Sequence, residues 1–356
     1  MRVHLASFLF ITYGVGVFSA DVKSLFVSLT APSSTSSVDG LAIITTVKNT
    51  GNQALKLVND PRTVLSTAQT KTFIITKDDD KPEFTGMIAK YSPQHALKNN
   101  VPEHFTILAP GESCQRTHSL SGVYNFTRAG PGQFKIDAYN RFHHVDESGQ
   151  LELITAETQP TTFVLDGRLA SARKTHQKRL RPIKRQGISQ IGCNAAQASV
   201  VLDAAKVAET YLAEVNTYMG GLAMGSPRYN SWFGSWDAQR AAIVANHFAN
   251  MAGDAPLATY NCAPADCTPD VFAYVFANEP LNINLCGAFW ESPLTGTDSQ
   301  GGTIIHELSH FTVNGGTDDY RYGPEKCLVL AQTDPSTAVM NADSHQYFAE
   351  NNPAQQ

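Results

Sequence analysis

The sequence predicts two modules of different class: an all-β, sandwich-like N-terminal part and an α+β C-terminal part built around one histidine-bearing helix. Three observations carry this. Between residues 21 and 167, β-branched and aromatic runs such as LAIITTVKNTGNQALKLV, TKTFIITKDDDK and GQFKIDAYNRF alternate with Asn-Thr-Gly, Asp, Pro and Gly punctuation. That is the pattern of short antiparallel strands. Beyond residue 186, apolar residues recur at three- and four-residue steps, the period of amphipathic helices. Between the two lies a basic, apolar-poor stretch, RLASARKTHQKRLRPIKRQG.

The first twenty residues, MRVHLASFLFITYGVGVFSA, combine Arg2, an apolar run from Leu5 to Val17 and small residues at Ser19 and Ala20. This is the layout of a secretory signal peptide, and the run is shorter than the ~20 residues a membrane-spanning helix needs. A secreted, extracellular product without membrane association is expected.

Residues 21–167 form the β-rich module. It holds one glycosylation sequon, Asn125-Phe126-Thr127, and no cluster of metal-binding or nucleophilic side chains stands out in it. Residues 168–185 read as an exposed basic linker with dibasic pairs at Lys178-Arg179 and Lys184-Arg185. In a secreted chain, Lys184 and Arg185 mark a processing site, with the mature product starting at or just after Gln186. A nucleic-acid-binding tail does not fit the secretory route.

Charge divides at the same place. After Arg185 there are 5 basic and 17 acidic residues, a net of −12, leaving 22 basic and 15 acidic residues and +7 in the first 185. Opposite signs predict modules that attract each other.

Residues 186–356 open with the helical segment AAQASVVLDAAKVAETYLAEVNTYMGG, with an apolar stripe of Val200, Ala204, Val207, Tyr211, Val215 and Tyr218. A second helix, DAQRAAIVANHFANMAG, starts on Asp237 and buries Ile243, Val244, Phe248 and Met251. His247 beside that stripe reads as a core or surface residue. Short strands follow in ATYNC, FAYVF and INLCGAFW.

Next comes HELSHFTVNGGTDDYRYG, from His306 to Gly323. At 3.6 residues per turn, His306 and His310 project from one helix face and can reach the same ion, with Glu307 at the neighbouring edge. Catalytic zinc keeps three protein ligands, so a further side chain must return to this face. The H-x-x-G-x-x-H extension fails, because Val313 and Gly316 stand where it needs glycine and histidine. Glu325 comes early for a separate helix, and Glu350 sits almost at the chain end. Asn314-Gly315-Gly316 can end the helix with positive φ and bring Asp318 or Asp319 back to the metal. Spacing does not choose between the two aspartates.

HELSH followed by GTDDYRYG resembles the aspzincin signature, H-E-x-x-H then G-T-x-D-x-x-Y-G, of the deuterolysin-like metalloendopeptidases. The likeness extends through most of residues 190–356, including CGAFWESPLTGTDSQ and NADSHQYFAENNPA, and is nearest to the peptidyl-Lys metalloendopeptidases. The resemblance implies an α+β catalytic domain with a zinc-binding active-site helix and a small antiparallel sheet, preceded by an all-β sandwich-like pro-domain. It implies one Zn2+ held by His306, His310 and Asp319, Glu307 as general base, and Tyr322 as hydrogen-bond donor to the oxyanion. It places Asp343 and Gln346 in the pocket for the residue after the cut bond, where the Lys-specific relatives carry an Asp and a Glu. Gln346 departs from that pattern. It also implies the disulfides Cys193–Cys262 and Cys267–Cys286, leaving Cys327 over, with Cys114 in the pro-region.

The expected function is that of a secreted zinc endopeptidase made as a zymogen, cutting before lysine. A broader deuterolysin-like specificity is the alternative, and a secreted non-enzymatic effector with structural zinc is the reading from another class. Expected partners are protein or peptide substrates and, before activation, the chain's own pro-domain. A monomer is expected.

Overall fold

A computed structural model describes residues 22–171, 183–185, 187–221 and 224–355. Residues 1–20, where a signal peptide is expected, most of the basic stretch 168–185, and Gln186 lie outside the described residues. Lys184 and Arg185 fall in a short backbone strand, Ile183–Arg185.

N-terminal strands pair into three four-stranded sheets and one two-stranded sheet. Leu25–Thr30 and Ala42–Asn49 run antiparallel at the centre of the first; their alternating burial shows one face turned inward. Gly132–Ala138 pairs with Thr161–Arg168 in the second, a strand that runs one residue into the expected linker. Phe126, Phe134 and Phe163 meet in the core, with the Phe126 and Phe134 rings edge-to-face at 4.9 Å. Burying each such ring contributes roughly 1.5–3 kcal/mol.

The C-terminal sheet corrects one expectation, since it is mixed rather than antiparallel and has six strands. Ile188–Ile191 and Thr259–Asn261 lie parallel, as do Thr259–Asn261 and Asn282–Leu285. Helices fill the connection between the first two strands, and a helical crossover returns the chain in the same direction. One edge strand, Ile88–Tyr91, comes from the N-terminal module and pairs antiparallel with Val271–Val275.

The long helix Ala195–Gly220 opens on a reciprocal capping box between Asn194 and Gln197. Its buried face is Ala198, Val201, Ala204, Ala205, Ala208, Leu212 and Val215, turned from the predicted stripe toward the alanines. Small side chains win there because the helix Gln300–His310 packs so closely that a Cβ on Gly301 would lie 2.4 Å from a Val207 methyl. In the helix Ala238–Met251, Val244, Phe248 and Met251 are buried as predicted, whereas Ile243 is exposed and His247 buried. Cys193–Cys262 and Cys267–Cys286 are bonded, and Cys327 is a buried thiol.

Candidate active site

The helix Gln300–His310 is buried along its whole length. Ser299 caps it, its Oγ accepting from the Gly302 amide at 2.9 Å. Gly302 is needed for space: a Cβ there would sit 1.9 Å from Glu350 Oε1. At the far end, the amides of Asn314, Gly315 and Gly316 all donate to the Phe311 carbonyl. Only Gly316 in this turn is left-handed, at φ +58. Gly315 answers to space, since a Cβ would come within 2.9 Å of the Ser309 carbonyl oxygen.

This turn carries the chain back to Asp319. His306 Nε2 lies 3.1 Å from Asp319 Oδ1, and His310 Nε2 lies 3.5 Å from the same oxygen. Tetrahedral zinc with bonds of ~2.0–2.1 Å would separate ligand atoms by about 3.3 Å, so the donor set fits that ion. These atoms are buried without hydrogen-bond partners, as expected of groups meant for a metal. Their outer partners turn the right nitrogens inward. His310 Nδ1 meets the Thr317 carbonyl at 2.9 Å, and His306 Nδ1 lies 2.8 Å from Asp343 Oδ1. Burial would lower the His306 pKa, but Asp319 and Asp343 outweigh it and raise it to about 9. The cluster thus favours a positive charge at its centre. Asp318 points elsewhere and pairs with Lys71.

Glu307 is fully buried, and neither carboxylate oxygen has a hydrogen-bond partner. Burial pushes its carboxyl up to about 8, near the range where a group can both take and return a proton. The Tyr322 ring stacks on His306 at 6.3 Å, with the Arg62 guanidinium 4.1 Å over it. Its hydroxyl donates to the Ala89 carbonyl at 2.6 Å.

Asp343 and Gln346 both lie on the buried helix Ala342–Glu350. Asp343 has two neighbours besides His306: the Gly323 amide donates to its Oδ2 at 2.8 Å, and the Lys90 ammonium lies 3.5 Å from Oδ1. Gln346 Oε1 accepts from Lys90 at 2.7 Å, while its amide nitrogen donates to Glu350 Oε1 at 3.0 Å. An ammonium only donates and a carboxylate only accepts, which sets the orientation of this amide.

Four residues of the site escape a sequence reading. Asn341 Oδ1 accepts from the Tyr320 and Arg321 amides and shapes the ligand loop. Glu350 accepts from the Asp298 amide and from both the amide and hydroxyl of Ser299. Asp298 and Lys90 reach each other at 3.2 Å. Asp298, Asn341 and Glu350 lie in the stretches CGAFWESPLTGTDSQ and NADSHQYFAENNPA that carry the family likeness, without a spacing that marks their roles, and Lys90 lies in neither.

Residues 220–350 match the family model described as lysine-specific metallo-endopeptidase. The chain is 41% identical over 335 residues to a peptidyl-Lys metalloendopeptidase of Grifola frondosa, covering 93% of this chain and 94% of the relative. A peptidyl-Lys metalloendopeptidase of Pleurotus ostreatus is 45% identical over 168 residues, which is 97% of its length and 46% of this chain. An extracellular protease of Aeromonas hydrophila is 29% identical over 327 residues, 90% of each chain.

Proposed function

This chain belongs to the aspzincin family of metallo-endopeptidases, and from that premise we propose that it is a secreted zinc endopeptidase, made as a zymogen, that cuts on the N-terminal side of lysine. The observation that carries the reading is the convergence of His306, His310 and Asp319, with donor atoms within 4.8 Å of one another.

A zinc ion held there would supply an acidified water and a Lewis acid for the scissile carbonyl. Glu307 takes the water's proton on a carboxylate oxygen and returns it to the leaving amine. Tyr322 donates its hydroxyl hydrogen to the carbonyl oxygen as negative charge develops. Asp343 orients His306 and, with Gln346, faces the side chain that follows the cut bond.

Secretion and a zymogen are supported by the residue 1–20 pattern, two disulfides, the relative named as extracellular and the relative matched by less than half of this chain. The proposed layout is 1–20 signal peptide, 21–167 pro-domain, 168–185 linker cut after Lys184-Arg185, and 186–356 catalytic domain. Before cutting, the pro-domain is the partner of the catalytic part within one monomer. Proteins and peptides are the substrates.

Replacing Glu307 by Gln tests the mechanism. The variant should keep its zinc and its thermal unfolding profile while turnover of a lysyl peptide falls by at least ~10²-fold, the low end of general acid–base contributions. Activity near wild type would exclude Glu307 as the proton carrier.

A further inference from the structure

The strand Ile88–Tyr91 is the one strand of the N-terminal module, among the described residues, that joins the C-terminal sheet. It lies antiparallel to Val271–Val275, with Lys90 opposite Ala273 and Ala89 opposite Tyr274. Extended peptides bind sheet edges in this manner, with backbone pairing for affinity and pockets for alternate side chains. Two contacts fix its register against the catalytic residues. The Ala89 carbonyl accepts from Tyr322, and the side chain of the next residue, Lys90, is buried to 2% exposure among Gln346, Asp298 and Asp343. The peptide bond between them thus has its carbonyl on the oxyanion donor and a lysine immediately beyond it.

We propose that residues 88–91 lie in the cleft as a substrate does, with Ala89–Lys90 in the place of the bond to be cut, and that the seat so revealed makes Asp298 a specificity-determining residue for lysine. This rests on the lysine-directed reading above and extends it to a residue that no motif marks.

Chemistry supports the assignment. An ammonium has three donors, and three oxygens stand around Lys90: Gln346 Oε1 at 2.7 Å, Asp298 Oδ1 at 3.2 Å and Asp343 Oδ1 at 3.5 Å. Phe272 and Tyr347 place ring faces toward the same nitrogen at 4.9 and 5.9 Å. A buried ammonium with one carboxylate regains little of its desolvation cost. Gln346 brings an acceptor without charge, and Asp298 supplies the second carboxylate. Asp298 is held for this by its own amide donating to Glu350 and by the Tyr347 hydroxyl donating to its Oδ1 at 2.7 Å. It adopts φ +53 immediately before the cap of the active-site helix. With its side chain 42% exposed while Lys90 is bound, it stands at the mouth of the pocket, with Asp343 at the base.

The test uses the full chain and a fluorescent peptide with the sequence of residues 85–94, alongside the same peptide with norleucine at the lysine. Wild-type chain should not bind either peptide, because its own strand holds the seat. Lys90→Ser should bind the lysyl peptide at least about tenfold more tightly than wild type, and Lys90→Met serves if serine at this buried position impairs folding. Adding Asp298→Asn to the emptied chain should weaken the lysyl peptide by roughly tenfold, the loss of one charge-assisted hydrogen bond, and leave the norleucine peptide unchanged. Equal binding by wild type and the Lys90 variants would overturn the substrate-like seat. Equal loss for both peptides, or no loss, would overturn the role of Asp298. Failure of the parent reading looks different: the processed wild-type enzyme would then show no preference for lysine in any substrate.

Discussion

His306 Nδ1 lies 2.8 Å from Asp343 Oδ1, and the same oxygen lies 3.5 Å from the Lys90 ammonium. One carboxylate thus touches both the histidine proposed to hold zinc and the ammonium in the proposed lysine seat. On the proposed roles, orientation of the zinc ligand and recognition of substrate charge are coupled through Asp343.

That coupling predicts a double phenotype for Asp343→Asn. Zinc retention against a chelator should fall by about 10–100-fold, as for other outer partners of metal-bound histidines. Preference for lysine over neutral residues should fall with it. A variant that loses only one of the two would separate the roles that the shared oxygen joins.

The adjacent aspartates should behave differently. Asp319 is 5% exposed and faces both histidines, whereas Asp318 is 27% exposed and faces Lys71. Asp319→Ala should strip zinc, measured by metal analysis after dialysis. Asp318→Ala should keep it and change stability by no more than about 1 kcal/mol, the worth of a partly exposed ion pair. The reverse result would reassign the third ligand.

Gln346→Glu should sharpen the preference for lysine and carry its rise with pH further into the alkaline range. The new carboxyl would lie beside Glu350, whose own carboxyl burial already raises to about 7. Two carboxyls in contact share a proton until the pH exceeds the raised value. In wild type the lone Glu350 carboxyl gains its charge near 7, whereas in the Glu–Glu pair the second charge appears only above that value. Selectivity for lysine over norleucine, measured from pH 6 to 9, should level off soon above 7 in wild type and go on rising in the variant. A constant ratio would show that position 346 does not set the charge of the pocket.

Local features of this site were legible in the chain. The i, i+4 histidines and the turn at Asn314-Gly315-Gly316 lie within eleven positions, from His306 to Gly316, and follow from helix geometry. Choosing Asp319 over Asp318 needed the family pattern, because both residues follow the same turn. Lys90 and Gln346 meet across 256 positions, and no periodicity in IAKY tells which sheet that strand joins. The mixed sheet escaped for a similar reason: strand direction depends on the helical crossover, which short apolar runs do not encode. Alanines of the long helix read as a weak stripe, although their small size is what admits the active-site helix.

The central claim, a zinc endopeptidase that cuts before lysine, is tested most directly by mapping cut sites. The processed, zinc-loaded enzyme would digest a denatured protein of mixed composition, and the new N-termini would be sequenced. Most new termini should begin with lysine, and none should appear with Glu307→Gln. Termini without lysine enrichment would contradict it.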